Sequence, residues 1–439
     1  MTKTVAICTL GCKVNTYESE AVMEQFVKNG FTRVAFSETA DVYIINTCTV
    51  THLGDRKSRQ MIRRTKHKNP DAVLVVMGCY SQVAPEAVSA IPEVDILFGN
   101  DGKNKVFDAV TRFMQEKQKQ NWASDIGAVK QFEHLTVSGF ENRTRAVLKI
   151  QDGCNNFCSY CIIPYARGRN RSAPLDTCVK DAKALAAAGF SEIVLTGIHL
   201  GSYGKDLGGP YLIDLLESLQ QIDGIRRIRM GSLEPTLFDA AFTERLSRLP
   251  KICRHFHLSL QSGCDETLAR MNRKYTTAEY ACAVDNIRAV FPDAAITTDI
   301  ITGFPGETEE EFQKTLAFVQ NISFADAHIF PYSVRKGTRA EGMPNQVLAT
   351  DKEVRSQKLM ELTARSRDAF LEAHIGKEVL VLFERAHKKS KTLYEGKTDN
   401  YITVLAESVD DLSDTYRRVR ITSAQEGLCA GELLDESGV

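Results

Sequence analysis

The 439-residue sequence has a single tryptophan, almost no net charge and no long apolar run. With 55 Lys and Arg against 56 Asp and Glu, the formal charge of −1 excludes overall basicity as a sign of nucleic-acid binding, so any such surface must be local. No stretch approaches the roughly 18 consecutive apolar residues of a membrane span, and no membrane association is expected. The start, "MTKTVAICTLGCKVN", enters a short strand-like run and lacks the longer apolar region of a secretory signal, so a cytoplasmic location is expected. That compartment keeps thiols reduced, which makes the twelve cysteines poor disulfide candidates. Those that cluster point instead to metal or redox chemistry. The densest cluster also lacks something. "QDGCNNFCSYCIIPYARGRNRS", 151–172, supplies three cysteines within eight residues, with no His or Cys close behind to complete a set of four.

What is present is alternation. "TVAIC" (4–8), "DVYIINTC" (41–48) and "AVLVVMGC" (72–79) read as strands buried on both faces, followed by "VDILFGN" (94–100). Helical spacing over Glu18–Asn29 and Gly54–Lys68 separates them, so a parallel sheet with covering helices is expected. Each of the first three strands is followed by a cysteine: Cys12, Cys48 and Cys79. Carboxyl ends of parallel strands form the ligand crevice of open α/β sheets, so these three can converge in space. A second series holds six strand-like segments, beginning at residues 145, 192, 227, 255, 295 and 326. Amphipathic segments separate them, such as Asp176–Ala188 closed by Gly189. This predicts a partial (β/α)6 barrel with its chemistry at the strand carboxyl ends. After Gly376 the pattern becomes strands joined by polar turns, the size of one compact β-barrel. The expected organisation is an α/β domain over 1–112, a linker over 113–139, the partial barrel over 140–372 and a small all-β barrel over 373–439.

Cys154, Cys158 and Cys161 follow the spacing C-x₃-C-x₂-C, which lets one loop aim three thiolates at a common centre suited to an iron–sulfur cluster. Three ligands leave one iron open, and an open position is where chemistry takes place. A zinc site with a distant fourth ligand, or unrelated thiols, are the alternatives from spacing alone. Cys8, Cys178, Cys253, Cys264, Cys282 and Cys429 lack such a context and read as structural.

The spacing and its surroundings resemble the radical S-adenosylmethionine superfamily. "TLGCKVNTYESE", "INTCTVTHLGDRKSRQ" and "VMGCYSQ" further resemble the cysteine motifs of its methylthiotransferase family. "TLGCKVN" and "GCNNFCSYCIIPYARGRNRS" are closest to the branch that modifies N6-threonylcarbamoyladenosine in transfer RNA. The resemblance implies two 4Fe-4S clusters, one on Cys154, Cys158 and Cys161 and one on Cys12, Cys48 and Cys79, with S-adenosylmethionine bound at the open iron of the first. It also implies a TRAM-like C-terminal barrel. Tyr160 matches an aromatic position near the adenine, its alternative being a core aromatic. Thr196 and Gly197, Glu234, Gln261, Asp299, Gly303 and Gly306 lie in strand-end motifs that would rim the cofactor, or would simply be barrel turns.

The implied reaction is methylthiolation of C2 of the modified adenosine next to the anticodon. Its partners would be the transfer-RNA anticodon stem-loop, an electron donor such as flavodoxin or ferredoxin, and a sulfur source. An unactivated aromatic C–H needs cofactor chemistry, so no catalytic residue is expected among the nine histidines. The rivals are methylthiolation of isopentenyladenosine or of a ribosomal-protein aspartate, and a non-catalytic metal-containing RNA-binding protein. For RNA, the basic run over 56–68, Arg167, Arg169 and Arg171, and Lys388, Lys389, Lys391 and Lys397 are candidate phosphate contacts, or solvated surface. Phe383, Tyr394 and Tyr401 are candidates for base stacking or for core packing.

Overall fold

The computed structural model describes residues 2–50, 52–67, 69–141, 143–388 and 390–434, with the backbone alone for residues 52 and 53. The N-terminal sheet contains β1 (Thr4–Thr9), β2 (Thr32–Arg33), β3 (Val42–Thr47), β4 (Val73–Gly78), β5 (Ile96–Leu97) and β6 (Gln120–Asn121) in the order β2-β1-β3-β4-β5-β6. Every pairing is parallel. Every residue of β3 and β4 is buried, as a sheet covered by helices on both faces requires. Helix α1 spans Lys13–Lys28, starting five residues before its expected first residue, Glu18. The added turn buries Val14, Asn15 and Tyr17 and brings the helix start directly against Cys12. Helix α2 spans His52–Thr65. The end of its expected range, Lys68, lies outside the described residues.

Residues 113–139, the expected linker, pack against the domains on either side. The helix Val106–Glu116 runs past residue 112, and β6 adds the outermost strand of the N-terminal sheet. Trp122 stacks on Phe98 with ring centroids 5.6 Å apart. Leu135 and Val137 then join the core of the following domain together with Tyr17 and Ala21 of α1. The polar composition of this segment concealed a few apolar anchors that tie the two domains together.

Six further parallel strands form the partial barrel: β7 (Arg145–Lys149), β10 (Glu192–Thr196), β11 (Arg227–Met230), β12 (His255–His257), β13 (Ala295–Thr302) and β14 (Asp326–Pro331). Parallel bridges Ile228–Ile252 and Leu233–Leu258 connect β11 to the second half. Between β7 and β10, the short antiparallel pair β8 (Gln151–Asp152) and β9 (Arg171–Ser172) clamps the base of the cysteine loop. The six expected strands are therefore all present. The helix before β10, Leu175–Ala187, ends with Gly189 at φ +95°, and the amide of Phe190 donates to the carbonyl of Leu185.

The long helix Ala349–Glu372 leads into a closed five-stranded barrel of β15 (Glu378–Ala386), β16 (Leu393–Lys397), β17 (Thr403–Glu407), β18 (Tyr416–Gln425) and β19 (Leu428–Leu433). Phe383 and Tyr394 are buried in its core and offer no face to a base, whereas Tyr401 lies outside that core. Among the described residues, no helix is long and apolar enough to cross a membrane.

Candidate functional site

Cys12, Cys48 and Cys79 follow β1, β3 and β4, which are adjacent in the sheet. Cys12 caps the start of α1 and Cys79 opens helix α3 (Cys79–Val83). Gly11, at φ +104°, permits the approach: a Cβ there would lie 2.9 Å from Cys48 Cβ and 3.0 Å from its sulfur. The three thiols sense one another electrostatically. Burial raises the Cys12 thiol, with Cys79 adding to the rise, and burial likewise raises Cys48. The Arg167 guanidinium pulls both back toward the thiolate. Asn100 donates from Nδ2 to Cys79 Sγ at 3.3 Å and to the Ala166 carbonyl at 2.9 Å, so one side chain links this site to the segment behind the second cysteine loop.

That loop holds Cys154, Cys158 and Cys161 beyond β8. Gly153 has φ +70°, and a Cβ on it would sit 1.9 Å from the Arg169 carbonyl oxygen, so the loop closes only over glycine. Burial pushes the Cys154 thiol up to about 11 and the Cys161 thiol up to about 12, with neighbouring Cys158 adding to both. Arg273 donates to Cys158 Sγ at 3.3 Å and to Glu234 at 2.8 Å. Asn156, inside the loop, donates to the same Glu234 carboxylate at 3.0 Å. Burial pushes Glu234 up, but the hydrogen bond from His199 and the Arg273 charge overcome it and hold the carboxyl at about 2. A permanent carboxylate thus stands beside the loop.

The remaining expected rim residues scatter around this centre. Thr196 ends β10, and Gly197 packs so closely on Gln151 that a Cβ would lie 2.7 Å from its side-chain oxygen. Tyr160 meets Phe304 edge-on, with ring centroids 6.3 Å apart, in a small apolar group with Met271 and Tyr332. Gln261 has a left-handed backbone, φ +69°, and its amide bonds the Asp299 carbonyl at 2.9 Å. Gly303 and Gly306 form the turn after β13, the first against Lys352 and the second against Arg270. The Asp299 side chain turns instead toward two histidines, 3.3 Å from His257 and 3.2 Å from His328.

The arginines behind the loop divide into two kinds. Arg167 is fully buried and bonds Glu18 (2.9 and 3.1 Å), Asp152 (3.1 Å to each oxygen) and Asn15 (2.6 Å). Arg171 is buried and donates to the carbonyls of Arg167 and Arg169. Neither can reach a phosphate, and both are corrected here to structural roles. Arg169 alone is exposed, with its guanidinium 4.5 Å from the Phe157 ring centre. On α2, Arg56, Lys57, Arg63 and Arg64 are exposed, while Lys66 pairs with Asp95 at 2.7 Å. Of the C-terminal lysines, Lys391 is exposed, Lys397 sits 4.5 Å from the Tyr401 ring centre, and Lys389 lies outside the described residues.

Both cysteine sets fit clusters better than single ions. A tetrahedral zinc bound at 2.3 Å to each sulfur brings its sulfurs to about 3.8 Å of one another. Among the described residues, the one group of three His, Cys, Asp or Glu ligand atoms within 4.8 Å of one another is His257, Asp299 and His328, so neither cysteine triad is drawn in that tightly. The wider spread suits thiolates bound to different irons of a cluster.

Comparison with known proteins agrees. Residues 4–99 match the model described as "Uncharacterized protein family UPF0004", and residues 148–319 match the Radical SAM superfamily. Threonylcarbamoyladenosine tRNA methylthiotransferase MtaB of Bacillus subtilis (strain 168) is 42% identical over 424 residues, 96% of this chain and 94% of the relative. The tRNA-2-methylthio-N(6)-dimethylallyladenosine synthase of Pelotomaculum thermopropionicum is 35% identical over 433 residues, 96% of each chain. Among solved structures, the radical S-adenosylmethionine methyltransferase TsrM from Kitasatospora setae shares the fold at TM-score 0.58 and 15% identity, covering 78% of this chain and 77% of that one. The chain belongs to the radical S-adenosylmethionine methylthiotransferase family.

Proposed function

We propose that this protein methylthiolates C2 of N6-threonylcarbamoyladenosine beside the anticodon of transfer RNA. The observation that carries the reading is the pair of three-cysteine sites, each at strand carboxyl ends and joined through buried residues of both domains. The threonylcarbamoyl substrate is favoured by the strings around Cys12 and Cys154 and by the full-length likeness to a relative named for it. The cofactors are two 4Fe-4S clusters and S-adenosylmethionine. Cys154, Cys158 and Cys161 would hold one cluster, and Cys12, Cys48 and Cys79 the other. When bound, these groups supply one-electron chemistry able to replace hydrogen on an aromatic carbon that has no acidic proton, together with the sulfur.

The chain's own residues shape the site. Arg273 donates to the Cys158 sulfur and, through Glu234 and Asn156, fixes the loop, so thiolate charge develops against a buried cation. Glu234 remains ionised and can accept from an amino or hydroxyl group. The exposed cations of α2, in the segment after Cys48, would attract RNA backbone toward the second site. A transfer-RNA substrate implies a cytoplasmic location and partners that deliver electrons and sulfur.

Anaerobic reconstitution followed by mass spectrometry of transfer-RNA nucleosides tests the reading. Iron and sulfide should load to two clusters, and the methylthio group should appear on threonylcarbamoyladenosine. Replacing Cys12, Cys48 and Cys79 with Ala should abolish methylthio transfer while reductive cleavage of S-adenosylmethionine persists. Methylthiolation of isopentenyladenosine instead, or loss of cleavage in the triple variant, would overturn the substrate or the division of roles respectively.

A further inference from the structure

The inner face of the partial barrel borders a cavity of about 500 Å³, within the range that holds a small organic ligand. Gly231 and Ser232, after β11, form part of its wall, and the opposite side is closed by β16, the turn after it and Lys13. Lys13 immediately follows Cys12, so the cavity reaches from the radical barrel to the residue beside the other cysteine site.

Its charges do not balance. Lys13, Arg229, Arg367 and Lys397 face Asp299 and Asp326 across it. Asp299 is already matched by His257 and His328, and Arg229 by Glu192 at 2.7 Å. Among the described residues, Lys13 and Lys397 have no carboxylate within ion-pair distance. Lys397 donates instead to the Thr403 hydroxyl, a neutral acceptor.

Tyr401 marks where their fields overlap. Its ring stacks on His255 with centroids 4.7 Å apart and lies within 5.4 Å of Lys397, Arg145 and Arg229. Burial alone would raise its phenol, but Arg145, Lys13 and Lys397 outweigh that and lower it. Its backbone has φ +73°, an unfavourable conformation for an aromatic residue, kept where the surroundings impose it.

We propose that Lys13 and Lys397, beside Tyr401, form the subsite for the carboxylate of the threonylcarbamoyl group, and so select that substrate. This rests on the reading of threonylcarbamoyladenosine as the substrate. The group that distinguishes this nucleoside carries a carboxylate and a hydroxyl, whereas an isopentenyl group is hydrocarbon. The ammonium, guanidinium, imidazole and phenol groups on the side of Lys13, Lys397 and Tyr401 suit the first, with Asp299 already matched by His257 and His328. The second would strip water from unpaired cations and return nothing, the asymmetry by which polar sites reject apolar analogues strongly.

The test uses the reconstituted full-length protein and anticodon stem-loop RNAs carrying threonylcarbamoyladenosine, its carboxyl methyl ester, or isopentenyladenosine. Equilibrium binding is read by fluorescence anisotropy, and methylthio product by mass spectrometry. The free acid should bind about tenfold or more better than the ester, as loss of a charge-assisted contact implies. Lys13→Met and Lys397→Met should each bring the acid-to-ester ratio toward one, and Lys397→Arg should restore it. A ratio near one in the unaltered protein overturns the inference without any variant. So does an equal loss of acid and ester binding in both Met variants. If the acid RNA is methylthiolated with no preference over the ester, this inference alone fails. If only isopentenyl RNA is methylthiolated, the substrate reading fails and the inference falls with it.

Discussion

Replacing Arg167 with Met should loosen the junction of the two cysteine domains while leaving the surface unchanged. The guanidinium makes five hydrogen bonds of 2.6–3.1 Å to Glu18, Asp152 and Asn15, spanning α1 and the radical-site loop. Removing one partner of a buried ion pair typically costs about 3–5 kcal/mol. Here Glu18 keeps Lys149 at 2.8 Å and Lys103 at 3.4 Å, and Asp152 keeps Lys149 at 2.7 Å. The carboxylates are not stranded, so the low end, about 3 kcal/mol, is expected. That equals roughly a hundredfold change in an opening equilibrium. Hydrogen exchange is the suitable assay, because a multidomain chain has no single unfolding free energy. Amides of α1 and of 163–172 should exchange about a hundredfold faster in Arg167→Met. In the exposed control Arg169→Met they should stay within about 0.5 kcal/mol of the unaltered protein. The sign of the pH effect follows from Glu18. Burial opposes its ionisation, but Arg167, Lys103 and Lys149 hold its pKa well below the ordinary value of 4.5. Its contribution is thus complete above that value and is lost as pH falls below it. The unaltered protein should lose junction protection on acidification, and the variant should show a shallower loss. Unchanged protection in Arg167→Met, with weakened RNA binding alone, would refute the structural role and return Arg167 to the RNA surface.

Two further substitutions probe the cysteine loop. Gly153→Ala places a methyl group 1.9 Å from the Arg169 carbonyl at φ +70°, so the loop should fail to close. Iron per chain should drop to about half, with the cluster on Cys12, Cys48 and Cys79 retained; full loading would contradict the close approach. Glu234→Gln removes the charge that faces Arg273 and His199, at a cost of about 1.5–3 kcal/mol for a charge-assisted contact. Iron release from Cys154, Cys158 and Cys161 to a chelator should then quicken at least about tenfold, and an unchanged rate would show that Glu234 does not support the loop.

The cysteines and the strand series were legible because their signal is local. A hydrophobic strand ending in a cysteine, and three cysteines within eight residues, require no knowledge of distant chain. The arginines misled for the opposite reason. In "YARGRNRS" Arg167, Arg169 and Arg171 look alike, but Arg167 meets Glu18, 149 residues earlier in the chain, and Arg169 meets solvent. No periodicity encodes that pairing. Arg273 and Asn100, which touch Cys158 and Cys79, were missed likewise, since each lies more than 20 residues from its sulfur. The packing of the linker segment was not legible because composition averages over a segment, while a few residues, Trp122, Leu135 and Val137, carry its contacts.

The buried charges around Arg167 and the unpaired charges at the cavity are two answers to one electrostatic problem. Three cations, Arg167, Lys149 and Lys103, surround two carboxylates, Glu18 and Asp152, in a space with almost no solvent. The surplus positive charge lies within reach of Cys12 and Cys48, where it favours thiolates that burial would otherwise suppress. At the cavity, by contrast, Lys13 and Lys397 have no carboxylate of the described residues within ion-pair distance, and Glu192, Glu384 and Glu395 act on them only from farther away. Excess charge that balances a resident anion stabilises a site. Excess charge left open to a cavity is costly unless an anion arrives from outside. Because Lys13 is the chain neighbour of Cys12, an anionic substituent drawn to it would bring the attached base toward the site of Cys12, Cys48 and Cys79, so one contact would serve both selection and positioning.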